Sequence, residues 1–450
     1  MINSNEKFNS IWLYIILAEL VFGGLGHLFG LPIRNSIFAF TFFYAIYLVI
    51  KRGATIKKRT LLYIFVIIGY GVYGSIIGLI HGNAIRDIIS NANVFAAILY
   101  SVIYLVLIDS NKNVLKKLVD LFVIYADILA IIVYGIFQWS NYAIMNGINP
   151  VELLVDFQKI TQYGLITQLL YGNTYAKVYA SGGIFFQVAF AICLLRLAYM
   201  DKIKLASFEA ISIIILIMGI ISTGTRGYWL GAFLVIGFTI FVIKGAKKIP
   251  LILNFLLITI IAATLVVAPG MTMMKIYSDS TSTTESNHKG GLVGDIFKRA
   301  NSATDFSEEE ISNNLRGVQF RHLMNKVKEN PVFGSGFGSR IEAYAEETER
   351  GSLDFELYYF ELWYKTGTVG MLILFLGVAH LFYNCYKVAL RCSRDESTLI
   401  KGWTIGFISV GGSSATNPYL AGMFGFFILV FLIVIIDLLD RDSKEIYLGF

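Results

Sequence analysis

Apolar runs too long for a soluble core, separated by short polar connectors, leave this chain one main way to fold. A bilayer's hydrocarbon core takes ~20 residues of helix, and about twelve such runs can be drawn. They lie near 11–30, 33–50, 61–80, 90–108, 118–141, 179–198, 206–222, 227–243, 250–268, 361–383, 400–415 and 418–436. Hydrophobic residues make up 56% of the 450 and charged residues 15%, against roughly 25% charged in a soluble domain. An all-α polytopic membrane protein is therefore expected rather than two or three soluble domains. The first run, Ile11 to Phe29, shows no small-residue cleavage site and reads as an uncleaved span.

Charge sets the expected topology. With the N-terminus in the cytoplasm, the inner connectors carry Lys51, Arg52, Lys57, Lys58 and Arg59, then Lys112, Lys116 and Lys117. They continue with Lys202, Lys204, Lys244, Lys247, Lys248, Lys387, Arg391, Arg394 and Lys401. The short outer connectors hold only Arg34, Arg86, Lys159, Lys177 and Arg226. This is the positive-inside pattern. It divides the chain into nine spans over 1–268, a large extracytoplasmic loop over 269–360, and three spans with a cytoplasmic tail over 361–450. Both termini are then cytoplasmic. The Arg226 turn and the large loop share the opposite side.

Within the loop, Ser278–Ser286 is polar enough for a mobile lobe. Ser307-Glu-Glu-Glu310 is a capping box, so a helix is expected from there to Glu329, ended by Asn330-Pro331. Leu315, Val318, Leu323 and Val327 give it an apolar stripe. Arg316 and Arg321 diverge by about 140° around such a helix. Phe333-Gly-Ser-Gly-Phe-Gly-Ser339 follows, where alternating glycines allow either a flexible turn or close approach to a ligand. Tyr358, Tyr359, Trp363 and Tyr364 are expected to form an interfacial aromatic belt, with sugar stacking as the alternative.

No metal-ligand spacing joins Cys193, Cys385 and Cys392 or the five scattered histidines. The extracytoplasmic segments carry no Asp-x-Asp motif, so no metal and no cofactor are expected. Nothing suggests nucleic acid as a partner. Glu19 and Asp127 lie within spans, where a charge is either functional or holds neighbouring helices together. His322 is a spare candidate base, and Arg86 a weak candidate cation.

Three motifs then occur in order. The first is Ser222-Thr-Gly-Thr-Arg226-Gly at an outward span end. The second is Arg316, an aromatic at Phe320, and Glu329-Asn-Pro331-Val-Phe-Gly334-Ser-Gly336-Phe-Gly338. The third is Glu356, eleven residues before Gly367-Thr-Val-Gly370, with Thr416-Asn-Pro-Tyr419 before the last span. The set resembles the O-antigen polymerase and ligase superfamily of bacterial envelope enzymes. The resemblance implies a GT-C-like glycosyltransferase of the inner membrane, using a polyprenyl-pyrophosphate-linked glycan as donor and another lipid-linked unit as acceptor. A chain-length regulator and a flippase are its implied partners. Ligases of the family usually carry a histidine where this chain has Glu356-Leu357, which favours polymerase over ligase. A transporter or flippase for lipid-linked sugar is the reading from another class.

The residue chemistry suits that reaction. A glycosyl pyrophosphate already has a good leaving group, so the site must chiefly hold the developing charge. Arg226, Arg316 and Arg321 offer planar, permanently charged forks for phosphate oxygens. Glu356 is the candidate catalytic base for the acceptor hydroxyl, with Asp354 and Glu361 as rivals.

Overall fold

The computed structural model describes residues 4–23, 26–171, 176–200, 204–243, 245–280, 311–440 and 445–448. In chain order the elements begin with α1 (Ser4–Phe22), α2 (Ile33–Arg52), β1 (Ala54–Lys57), α3 (Lys58–Ile80), α4 (Ile85–Ala96) and α5 (Tyr100–Ile108). Next come α6 (Lys112–Met145), α7 (Pro150–Thr161), β2 (Ile166–Tyr171), β3 (Ala176–Ala180) and α8 (Phe185–Tyr199). Then follow α9 (Phe208–Thr223), α10 (Arg226–Val242), α11 (Gly245–Ser280) and α12 (Ile311–Glu329). The last are α13 (Glu342–Thr348), α14 (Tyr358–Arg391), α15 (Arg394–Ser413), α16 (Met423–Leu439) and β4 (Glu445–Leu448).

The protein is mostly helical and built for a membrane. Among the described residues six helical stretches are long and apolar enough to cross one: Ile33–Arg52, Lys58–Ile80, Ile85–Ile108, Lys112–Ile144, Lys247–Pro269 and Tyr358–Arg391. Four shorter apolar helices, α8, α9, α10 and α16, accompany them. Phe65, Phe233, Phe241 and Phe375 are 70–82% exposed, as side chains facing lipid would be.

Several boundaries differ from expectation for local reasons. The first helix ends at Phe22 rather than near residue 30, because Gly26 and Gly30 take positive φ in a turn closed by Leu28 and Leu31. The apolar helix α11 runs on through Pro269 to Ser280. Two small antiparallel sheets, β1 with β4 and β2 with β3, qualify the all-helical expectation. β2 and β3 are rich in β-branched and aromatic residues, which favour strands. The Ser307–Glu310 capping box and most of the Ser278–Ser286 stretch lie outside the described residues.

The chain forms two compact units, residues 1–43 with 113–303 and residues 44–112 with 304–450. In the first, α8 packs on α9 and α10, and α9 on α11. The two acids expected within spans have partners. Arg34 donates to Glu19 at 2.9 Å, joining α2 to α1, and Ser212 donates to Asp127 at 2.6 Å, joining α9 to α6. These contacts match the reading of both acids as ties between helices.

In the second unit the helix ends sort into two sets. One set gathers the β1–β4 pair, registered from Ala54↔Leu448 to Lys57↔Glu445. It also holds the ion pairs Arg59–Asp440 (2.8 Å), Arg52–Asp109 (2.5 Å) and Lys112–Glu396 (3.1 Å). The other set gathers the α3–α4 turn, residues 330–358 and the C-terminal end of α15. There Arg340 bonds Asp87 at 2.7 Å and Tyr359 donates to the Gly411 carbonyl at 2.5 Å. The charge pattern expects these two sets on opposite sides of the bilayer.

A glycine strap after α12 holds the second set together. Gly334, Gly336 and Gly338 all have φ near +78°. A Cβ on Gly336 would lie 2.1 Å from the Gly78 nitrogen, and one on Gly338 2.7 Å from the Ile88 nitrogen. Phe337, 1% exposed, stacks on Phe95 and meets Tyr70 edge-on. On the other side α14 breaks at Gly367 (φ 63°, ψ −172°). The break frees the Tyr364 and Lys365 carbonyls, which accept from Ser335 and Gly336 at 2.9 and 2.8 Å. In return the Thr368 and Val369 amides donate to the Pro331 and Val332 carbonyls at 2.9 and 3.1 Å. Broken helix is tolerated at membrane depth only where protein satisfies the backbone in this way.

The strap makes a specific stability prediction. Gly336→Ala combines a clash with a left-handed conformation that alone costs roughly 1–2 kcal/mol, so thermal unfolding in detergent should show a clear drop in Tm. Gly317→Ala, on α12 with open space around it, should instead raise Tm slightly, since alanine is about 0.8–1 kcal/mol better in a helix. Equal Tm values for the two variants would rule out the close approach.

Candidate active site

All of this site lies in the second unit. Helix α12 buries Leu323 and Val327 in a cluster with Ile341, Tyr344, Phe355 and Tyr364. Each fully buried aliphatic side chain of this kind contributes about 1.5–3 kcal/mol. Val318, Leu323 and Val327 of the stripe expected on α12 thus pack against residues 341–364 of the same unit. That packing fixes which way the polar side of α12 faces. It brings Arg316 and Gln319, three residues apart on neighbouring positions of one face, over the turn that leads into α14.

There Arg316 meets Glu356. Its Nε and Nη2 lie 3.1 and 3.0 Å from Glu356 Oε2. Arg350 approaches from the other side, with Nη1 3.1 Å from Oε1. Each carboxylate oxygen therefore receives its own guanidinium, and two cations surround one anion. Exposed ion pairs add only about 0–1 kcal/mol each, so stability alone does not account for the arrangement. The cluster opens on a cavity of about 330 Å³ lined by Gln319, Tyr344, Arg350, Gly351, Asp354, Phe355, Glu356 and Pro418. Pro418 belongs to the Thr416–Tyr419 turn.

The other expected residues sort as follows. Arg321 does not join Arg316. Its Nη2 lies 2.6 and 2.7 Å from the two Glu347 oxygens, tying α12 to α13. His322 Nε2 is 2.7 Å from the same carboxylate, and its ring meets Tyr344 edge-on. Glu361 is buried against Lys365 at 2.5 Å, away from any role as an exposed base. Asp354 is exposed at the cavity wall. Arg86 is exposed on α4. Arg226 belongs to the other unit, half-buried as the first residue of α10, after a turn in which Gly224 takes φ +60°.

Two sequence readings are revised. The glycine motif's close approach is to the backbones of α3, α4 and α14, not to a ligand. Tyr358 and Tyr364 are buried inside the unit rather than arrayed as a belt, and Trp363 Nε1 donates to Thr368 at 3.2 Å. Arg350 and Gln319 were not singled out from sequence. Gln319 carried a signal in its i, i+3 spacing from Arg316. Arg350 carried none beyond its place in a Gly-Ser turn.

Comparison with known proteins bears on this geometry. A family model described as O-antigen ligase matches residues 211–375, which include Arg226, Arg316, the strap, Arg350, Glu356 and Gly367. A protein named O-antigen polymerase from Shigella flexneri is 22% identical over 433 residues, covering 94% of each chain. The resemblance to the O-antigen polymerase and ligase superfamily is borne out. An uncharacterized protein from Haemophilus influenzae is 26% identical over 208 residues, 42% of this chain and 47% of its own length. The superfamily match runs from α9 to the first half of α14, so it takes in both the Arg226 turn and the arginine–glutamate cluster.

The Glu347 pairings give a pH prediction. Hydrogen bonds from His322 and then Arg321 hold its carboxyl below the usual value of 4.5. A carboxyl lowered by folding stabilises the fold above its unfolded pKa and loses that contribution as pH falls through the folded one. Acid unfolding should therefore begin at higher pH in Glu347→Gln, and the variant's stability should vary less as pH falls from the usual value of 4.5 through the lowered folded one. Superimposable acid-unfolding curves would show that the contact adds nothing.

Proposed function

We propose that the protein is an O-antigen-type polysaccharide polymerase. It transfers a polyprenyl-pyrophosphate-linked glycan onto a sugar hydroxyl of another lipid-linked repeat unit, at the outer face of the bacterial inner membrane. The observation that carries this reading is the clasp of Glu356 by Arg316 and Arg350 at the cavity wall. The match to the Shigella flexneri polymerase along 94% of the chain supports it. The proposal includes the twelve-span topology, with both termini cytoplasmic and residues 269–360 outside, on the strength of the charge pattern.

The chemistry follows from the charges. The acceptor hydroxyl oxygen bonds to the anomeric carbon of the donor glycan, and the bond from that carbon to the pyrophosphate oxygen breaks. The electron pair leaves with the pyrophosphate. Arg316 and Arg350 turn from Glu356 to its oxygens, where fixed guanidinium donors stabilise charge as it develops. Glu356, released from them, accepts the hydroxyl proton. Arg226 enters the proposal on its sequence context and one physical argument. A cation on the first turn of α10 opposes the helix dipole, so helix stability does not account for it. Arg321, engaged by Glu347, serves the α12–α13 contact in this reading. Arginines supply the electrostatic stabilisation, so no divalent cation is required.

The description of the family model as O-antigen ligase favours a second reading, in which the glycan passes to lipid A-core or another acceptor. Both are tested with full-length protein in proteoliposomes, supplied with lipid-linked repeat units from the host's own membranes. Long polymer still attached to polyprenyl pyrophosphate supports the polymerase. Glycan appearing only on an added lipid A-core supports the ligase. Arg316→Ala and Arg226→Ala, inserted at normal levels, should each slow polymer formation on the order of a hundredfold. Arg316→Lys should not restore it, because an ammonium lacks the planar fork. EDTA should leave the wild-type rate unchanged. Full-length polymer from both alanine variants would refute the proposal. Movement of lipid-linked sugar between leaflets without bond formation would point to a transporter.

A further inference from the structure

Glu356 is anchored from its main chain as well as by its two arginines. The amide of the preceding residue, Phe355, donates to Glu361 Oε2 at 3.2 Å. The amide of the following residue, Leu357, donates to Gln319 Oε1 at 2.9 Å. Lys365 Nζ completes the lower anchor, donating to Glu361 Oε1 at 2.5 Å and to the Leu353 carbonyl at 2.8 Å. Gln319, Glu361 and Lys365 are 3, 7 and 2% exposed.

Buried ion pairs are weak contributors to stability, because desolvation offsets much of their attraction. The Glu361–Lys365 pair spends its remaining hydrogen-bonding capacity on the peptide segment that carries Glu356. Gln319 stands one helical turn from Arg316. Its bond to Leu357 therefore registers the arginine-bearing helix against the glutamate-bearing turn.

We infer that Gln319 and the Glu361–Lys365 pair are positioning residues, which hold the Glu356 carboxylate in register with Arg316 by fixing the backbone amides of its two neighbours, Phe355 and Leu357. This rests on the reading of Glu356 as the proton acceptor. Loss of either anchor frees the peptide to rotate and displaces the carboxylate. A displacement of about 1 Å in a reacting group costs on the order of a hundredfold in rate. Arg316 and Arg350 remain available to hold the pyrophosphate in this reading, so binding of the lipid-linked substrate is little affected.

The test measures kcat and KM for chain elongation by full-length protein in proteoliposomes, using lipid-linked repeat units from the host's membranes. Gln319→Leu should lower kcat by about tenfold or more with KM nearly unchanged. Gln319→Glu, which keeps an acceptor oxygen for the Leu357 amide, should retain most of the rate. Glu361→Gln combined with Lys365→Met, which removes both buried charges together, should behave like Gln319→Leu. In a Glu356→Gln background, Gln319→Leu should change nothing further, because the group it positions is gone. An equal loss in both backgrounds would mark a general structural effect and overturn the inference. Wild-type kcat in Gln319→Leu beside an impaired Glu356→Gln would overturn it while sparing the Glu356 reading. Full activity in Glu356→Gln would overturn both.

Discussion

The second unit depends on a close approach of backbone to backbone that only glycine permits. Gly336 lies against Gly78 of α3, Gly338 against the start of α4, and Gly334 against Gly367 at the break in α14. The hydrogen bonds that a continuous α14 would make internally are exchanged with the strap, two carbonyls one way and two amides the other. The Asn83 side chain, donating at 2.9 Å to the carbonyls of Ser335 and Phe337, closes the strap from the α3–α4 turn. Remove the glycines and α12, α13 and the turn carrying Glu356 lose their shared floor. The site's geometry is thus set beside the arginines rather than by them.

The charge cluster makes sense on that floor. Arg316 and Arg350 face the Glu356 carboxylate, and Asp354 at the cavity wall brings these four charges into balance, so in the proposed reaction the pyrophosphate competes with carboxylates for the arginines. In the proposed reaction the carboxylate keeps both arginines together until the pyrophosphate takes its place. Neighbouring polar groups that looked equivalent in sequence have divided roles. Arg321 and His322 brace Glu347, Glu361 neutralises Lys365, and Asp354 stands at the cavity wall.

Much of this was legible in the sequence because it is local. The apolar runs, the stop at Asn330-Pro331, the Leu323 and Val327 stripe and the lysine-rich connectors each announce themselves within a few residues. The charge count puts the α2–α3 connector and the C-terminal segment on one side, and within the second unit β1 and β4 pair with each other. Long-range pairing was not legible. Arg316 and Glu356 were each singled out, but their meeting across forty residues depends on how α12 packs. Arg350 meets Glu356 only six residues on, within one irregular turn, and no local motif marks such a contact. The three alternating glycines read as a turn, yet nothing local distinguishes a backbone that approaches a ligand from one that approaches its own helices.

The central claim is that Arg316 and Arg350 are held ready for a pyrophosphate by a carboxylate that gives way to it. The most direct measurement is an experimental structure of the full-length protein in lipid with a non-hydrolysable polyprenyl-pyrophosphate-linked saccharide. The account predicts pyrophosphate oxygens within hydrogen-bonding distance of both guanidiniums, with Glu356 turned toward the acceptor side of the cavity. A bound pyrophosphate elsewhere, with both arginines still on Glu356, would contradict it.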